Sequence, residues 1–132
     1  MVSLPEPVIR IIKHPESNKV MATVSPDGKP HVIACGSLRM VDDDTIVVGD
    51  ALMSRTTEFL EKNPEVEFLV WMRKDAYSIK ARLVETQETG PVYHEMALSL
   101  SKINLTPRCV LLFDVEEVWD ESASSTAGSK VV

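Results

Sequence analysis

Residues 21–38 read Met-Ala-Thr-Val-Ser-Pro-Asp-Gly-Lys-Pro-His-Val-Ile-Ala-Cys-Gly-Ser-Leu, two apolar runs divided by a proline–glycine turn. Pro26 fixes φ at one turn position and Gly28 supplies the positive φ of another, so the chain reverses here. On either side, Lys19–Val24 and Pro30–Val41 are rich in the β-branched residues that favour strands. Asp42-Asp43-Asp44 makes a second polar turn before Thr45–Gly49, a third strand. Two hairpins in succession predict an antiparallel meander.

The period changes after Gly49. Leu52, Thr56, Phe59 and Leu60 share one helical face, and Asn63-Pro64 stops the helix. Glu65–Met72 and Ala76–Thr86 are two more strands joined by Arg73-Lys74-Asp75. Gly90-Pro91 opens a helix with Val92, Met96, Leu98 and Leu100 as buried candidates, running to about Lys102, and Arg108–Trp119 is the last strand. Upstream, Glu6–Lys13 reads as a short helix closed by His14-Pro15, with a strand as the alternative because three of its apolar residues are isoleucines. The expected fold is mostly β with flanking helices, a six-stranded antiparallel split β-barrel, since closure removes exposed edges. Residues 1–120 form the domain, and the small polar residues of 121–132 form a flexible C-terminal tail.

Composition excludes several classes. At 132 residues the chain fits one domain, and a formal charge of −6 argues against a nucleic-acid partner, which needs a basic surface. No apolar run is long enough to cross a bilayer and no secretory leader is evident, so a cytoplasmic protein without a membrane partner is expected. Cys35 and Cys109 are distant and outside any CxxC, and His14, His31 and His94 lack ligand spacing, so no metal site is expected. Asp42–Asp44 lacks the alternating ligands of a calcium loop and reads as a solvated turn.

Chemistry concentrates in Asp50-Ala51-Leu52-Met53-Ser54-Arg55-Thr56-Thr57, where a strand end passes into the first turn of a helix. Amides at a helix start lack partners and the macrodipole makes that end positive. A phosphate is well served there by hydroxyls of Ser54, Thr56 and Thr57 and by the Arg55 guanidinium. Spacing alone favours a plain reading, in which Ser54 or Thr56 caps the helix and Arg55 points into water.

The run SRTTEFLEKNP resembles the segment S-R-K-A-x-x-L-x-x-N-P of the FMN-binding split-barrel proteins related to pyridoxamine-phosphate oxidase. The hairpin MATVSPDGKPHVIACGSL is similar to that family's first two strands, and EVEFLVWM with YSIKARLV to its next hairpin. The resemblance covers Asn18 to Glu85 and implies FMN as cofactor. It assigns Ser54, Arg55 and Thr56 to the FMN phosphate, with Lys80 reaching it from a neighbouring strand. It lays Ala34, Cys35, Gly36 and Ser37 along the flavin ring, and sets Asp50, Ala51 and Met53 beside the ribityl chain and ring. It also implies a homodimer with FMN between the subunits, with Trp71, Trp119 and residues near Arg108 as interface candidates.

Two positions depart from the family pattern: Thr56 stands where Lys is common, and Ala81 where Gly is common. Nothing matches the pyridoxal-phosphate residues of the true oxidase, so vitamin B6 oxidation is not expected. What remains is a flavoprotein oxidoreductase that moves electrons or hydride between FMN and a small partner, NAD(P)H or a redox partner. No residue need act as acid, base or nucleophile, because the flavin carries the chemistry. The alternative is a non-catalytic carrier or sensor of flavin, haem or deazaflavin. Cys35 reads either as a redox group at the flavin or as a small buried hydrophobe.

Overall fold

The computed structural model describes the whole chain, Met1–Val132. Its elements in chain order are α1 (Glu6–Lys13), β1 (Asn18–Val24), β2 (Pro30–Ala34), β3 (Arg39–Asp42), β4 (Thr45–Gly49), α2 (Ser54–Lys62), β5 (Glu65–Met72), β6 (Asp75–Gln87), α3 (Pro91–Ser101), β7 (Val110–Asp120) and β8 (Ser129–Lys130). All strand pairings are antiparallel, in the order β2-β1-β5-β6-β7-β4-β3, with β8 added to β7. The fold is mostly β with three helices, as expected, but the strand count is not six.

The long second strand expected over Pro30–Val41 is two strands. β2 pairs with β1, whereas β3 pairs with β4, so Cys35–Leu38 carries the chain from one edge of the sheet to the other. Five Cα steps from Ala34 to Arg39 span at most about 18 Å. Seven strands laid flat, at about 4.8 Å spacing, would put their outer edges roughly 29 Å apart. The sheet therefore curls until its edges approach, yet β2 and β3 never pair. The result is an open, split barrel, and residues 35–38 bridge its seam.

The interior is set by strand alternation. Met21, Phe68, Val70, Ile79, Ile46, Val48, Phe113 and Val115 point inward and are fully buried. Phe68 and Phe113 meet edge-to-face at 5.3 Å, an arrangement that contributes about 0.5–1.5 kcal/mol beyond burial. α1 turns Val8, Ile11 and Ile12 into the same core, which settles the helix reading of residues 6–13. α3 covers β4 and β7 outside that core through Met96 and Leu100. A Cβ on Gly49 would lie 2.9 Å from Met96 Cγ and 3.0 Å from Leu100 Cδ1, so glycine permits this close approach.

The terminal segment differs from the expected tail. Ser122 is buried, its hydroxyl accepting from the Ala76 amide, and β8 pairs with the end of β7 at Trp119 and Asp120. Main-chain hydrogen bonds such as Val131 N–H to Val118 O hold it, which no apolar pattern in 121–132 announces. Side chains from Ala123 onward remain exposed.

A candidate functional site at the barrel seam

The seam loop is anchored at both ends. The Cys35 amide donates to Lys19 O at 2.9 Å, and the Cys35 and Leu38 side chains are buried. Between them, Ser37 Oγ accepts from the Gly49 amide at 3.1 Å and donates to Gly49 O at 3.4 Å, tying the loop to the end of β4. Gly36 has open space where a Cβ would sit. The loop thus presents its backbone, rather than bulky side chains, to whatever lies alongside.

Beyond Gly49 the chain makes a strained entry into α2. Leu52 has φ of +59°, a conformation that costs a non-glycine residue on the order of 1–2 kcal/mol, and its side chain is 89% exposed. Asp50 points away from the seam loop. Its buried carboxylate accepts from Arg108 Nη2 at 2.8 Å and lies 3.7 Å from Cys109 Sγ, while its amide donates to Cys109 O. That hydrogen bond keeps the exposed Arg108 guanidinium more firmly protonated, and burial followed by Asp50's charge pushes the Cys109 thiol up. Asp50 latches β4 to β7 rather than lining the cleft.

The first turn of α2 is chemically incomplete. Met53 at the N-cap makes no side-chain cap, there is no acidic residue in the first turn, and the first amide with a helical acceptor is Thr57, which donates to Met53 O. The amides of Ser54, Arg55 and Thr56 therefore have no partner. Thr56 Oγ1 is buried without a hydrogen bond, a condition that costs roughly 1–3 kcal/mol. Ser54 and Arg55 are exposed, and the Arg55 guanidinium lies 5.6 Å over the Phe59 ring. Phe59 is in turn met edge-on by His31 at 5.3 Å, so His31 packs the helix rather than reaching a ligand.

These parts surround one cleft of about 480 Å³, inside the roughly 300–1,000 Å³ range of small-molecule sites. Six of the expected residues line it: Ala34, Cys35, Gly36, Ser37, Ala51 and Met53. Ser54, Arg55 and Thr56 are not in its lining; they follow Met53, which is, in the first turn of α2. Lys80 is elsewhere. It faces the outside of β6, its Nζ 3.0 Å from Glu67 Oε1 on β5, and lines a separate cleft with Glu65, Glu116 and Glu117. The sequence reading also missed one wall, made by Ser99, Lys102, Ile103 and Leu105 at the end of α3, together with Arg39. The only advance signal for it was Ile103, an apolar residue continuing past the helix pattern, and it is 64% exposed.

Electrostatics fix the state of Cys35. Burial pushes its thiol up to about 12, against a smaller opposing pull from Lys19, so it faces the cleft as a neutral thiol. This favours the small-hydrophobe reading.

The sequence profile of the pyridoxamine 5'-phosphate oxidase family matches residues 12–122. The chain belongs to that family. No curated protein matches its sequence. Among solved structures, HupZ of Group A Streptococcus is 22% identical, with a TM-score of 0.79 over 97% of this chain and 100% of that one. An FMN-binding protein from Syntrophomonas wolfei is 17% identical, with a TM-score of 0.79 over 88% of this chain and 84% of that one. An F420 reductase is also 17% identical, with a TM-score of 0.70 over 87% and 98%. At these identities the likeness establishes the fold. Buried side-chain hydroxyls without a partner are those of Thr56 at the start of α2, Thr23 on β1 and Ser78 on β6.

Proposed function

We propose that the seam cleft holds FMN and that the protein is a flavin-dependent oxidoreductase acting between FMN and a small partner. One observation carries the reading: three unpartnered amides and the orphaned Thr56 hydroxyl gather at the start of α2, which follows in the chain from Ala51 and Met53 in the wall of a cleft of flavin size. A terminal phosphate at that helix start would accept from the free amides, and the positive end of α2 favours its charge. Arg55, steadied over Phe59, adds a cation at the same corner. The FMN-binding protein and the F420 reductase among the similar folds support a flavin-type cofactor.

Bound FMN supplies the redox centre. The chain supplies placement. Ser37, bonded twice to Gly49, holds the Ala34–Gly36 backbone as a wall for the ring, and Met53, Ile103 and Leu105 exclude water. The cleft contains no carboxylate and no imidazole, so its own side chains are not arranged for acid–base work. Exposed apolar residues, Ile103 in its wall with Leu52 and Leu98 adjoining lining residues in the chain, are suited to cover by a second copy of the chain. A homodimer closing the cleft follows, with Ile103→Asp expected to shift the sedimentation profile toward monomer.

The test is spectroscopic. The purified protein, as isolated or after adding FMN, should carry bound flavin, and NADH or NADPH added anaerobically should bleach it. Bound FMN that no donor reduces would favour a carrier. Failure to bind FMN at all would remove the proposal.

A further inference from the structure

A second cleft, of about 460 Å³, lies between the end of α1, the start of β1 and β3, and it shares Gly36 and Arg39 with the flavin cleft. Lys13, His14, Lys19 and Arg39 line it, against a single carboxylate, Glu95. Acidic side chains outnumber lysines and arginines in this chain by 20 to 14. Even so, none of Lys13, Lys19 or Arg39 forms an ion pair. Lys13 can be explained by the negative end of α1, whose last turn it occupies. That explanation does not extend to Lys19 on β1 or Arg39 on β3.

Arg39 is also held in place. Its Nη1 donates to Gly36 O at 3.1 Å and to Leu38 O at 3.3 Å, and its Nη2 donates to Ser99 Oγ at 2.9 Å. Lys19 is half-buried beside it, and burial followed by repulsion from Arg39 lowers the lysine's pKa. Like charges gathered against one carboxylate, and in no ion pair, are costly, and a bound anion relieves that cost.

We infer that this basic cleft binds the carboxylate or phosphate group of a small anionic substrate whose reacting end enters the flavin cleft across Gly36. The inference rests on the FMN reading above for the second half of that statement. The anion end is recognised by Lys13, Lys19 and Arg39, while the uncharged end lies along the seam backbone. Neutral substrates of the same shape are discriminated against because they leave the cations uncompensated.

The experiment uses ¹⁵N-labelled, FMN-loaded protein, followed by amide shifts at constant ionic strength. It is titrated separately with inorganic phosphate and with succinate. Saturable shifts of the Lys19 and Gly36 amides with either probe support the site, and the better probe distinguishes a phosphate from a carboxylate. The Lys13→Gln/Lys19→Gln variant should weaken that binding by about tenfold or more, with FMN affinity unchanged. No saturable shift with either probe, while FMN stays bound, overturns the inference and leaves the flavin reading standing. If the wild-type chain takes up no FMN, the same titration is run without it. Anion binding at Lys19 would then overturn the link to flavin while retaining the anion site, and shifts confined to residues 54–56 would overturn the site itself.

Discussion

α1 and α2 are nearly equal in length, eight and nine residues, but they begin in opposite ways. α1 opens after Pro5 with Glu6 in its first turn, a carboxylate set against the positive end of its macrodipole. Neither helix has a side-chain cap, but α2 opens after Met53 with no acid and with a buried hydroxyl left unbonded. α1 anchors Val8, Ile11 and Ile12 in the core, whereas the start of α2 is where the proposed phosphate would bind.

The largest effect expected from disturbing this contrast is at Arg55. Arg55→Ala should weaken FMN binding by about 1.5–3 kcal/mol, the range for a hydrogen bond to a charged group. Riboflavin, which lacks the phosphate, should bind as before. Fluorescence titration of both ligands reads the two values, and equal losses would assign Arg55 to folding instead.

Next is Thr56→Val, which removes the orphaned hydroxyl and keeps the shape. FMN affinity should fall by about 1.5 kcal/mol, while the unliganded protein should be no less stable and gain up to about 1 kcal/mol. Denaturant midpoints measured with and without FMN should therefore move in opposite directions. A loss of stability without ligand would mean that the hydroxyl has a partner after all.

Ser54→Asp makes α2 start like α1. The unliganded chain should gain about 0.3–1 kcal/mol, an effect that fades with added salt, while FMN binding weakens through repulsion of its phosphate. Glu6→Gln is the reciprocal change. It should cost about 0.3–1 kcal/mol of stability and leave FMN affinity untouched.

The smallest effect near neutral pH belongs to Cys35. Its folded thiol is raised from 9.0 to about 12, so above 9.0 the unfolded chain releases a proton that the native chain keeps. Stability from this residue is therefore unaffected below that point and falls as pH rises toward about 12. The difference between wild-type and Cys35→Ala unfolding free energies should show this alkaline slope.

Turn chemistry made much of the fold legible in advance. Ser25–Gly28 forms the expected reversal with Gly28 at φ +84°, and Asn63-Pro64 ends α2 where expected. The break at Cys35–Leu38 was not legible, because nothing in Pro30–Val41 stops a strand. The chain changes partner there, from β1 to β4, and that choice is made by the curl of the whole sheet. Lys80 shows the same limit on a smaller scale. Its place on a strand was readable, but the register shift between Lys80 and Ala81 and the opposing Glu67 decide which face and which partner it takes. The seam residues 34–37 and Met53 came from the family resemblance, whereas the hydroxyls and guanidinium of residues 54–57 at a helix start are a local signal that the sequence itself displays. The α3 wall was missed because it depends on Gly49 admitting Met96 and Leu100.

The most direct measurement is the amide spectrum of ¹⁵N-labelled protein on adding FMN and, separately, riboflavin. With FMN, the amide protons of Ser54, Arg55 and Thr56 should move downfield together, and with riboflavin they should stay while the Ala34–Gly36 amides still shift. Residues 54–56 unmoved by FMN, or moved equally by both ligands, would contradict a phosphate at the start of α2.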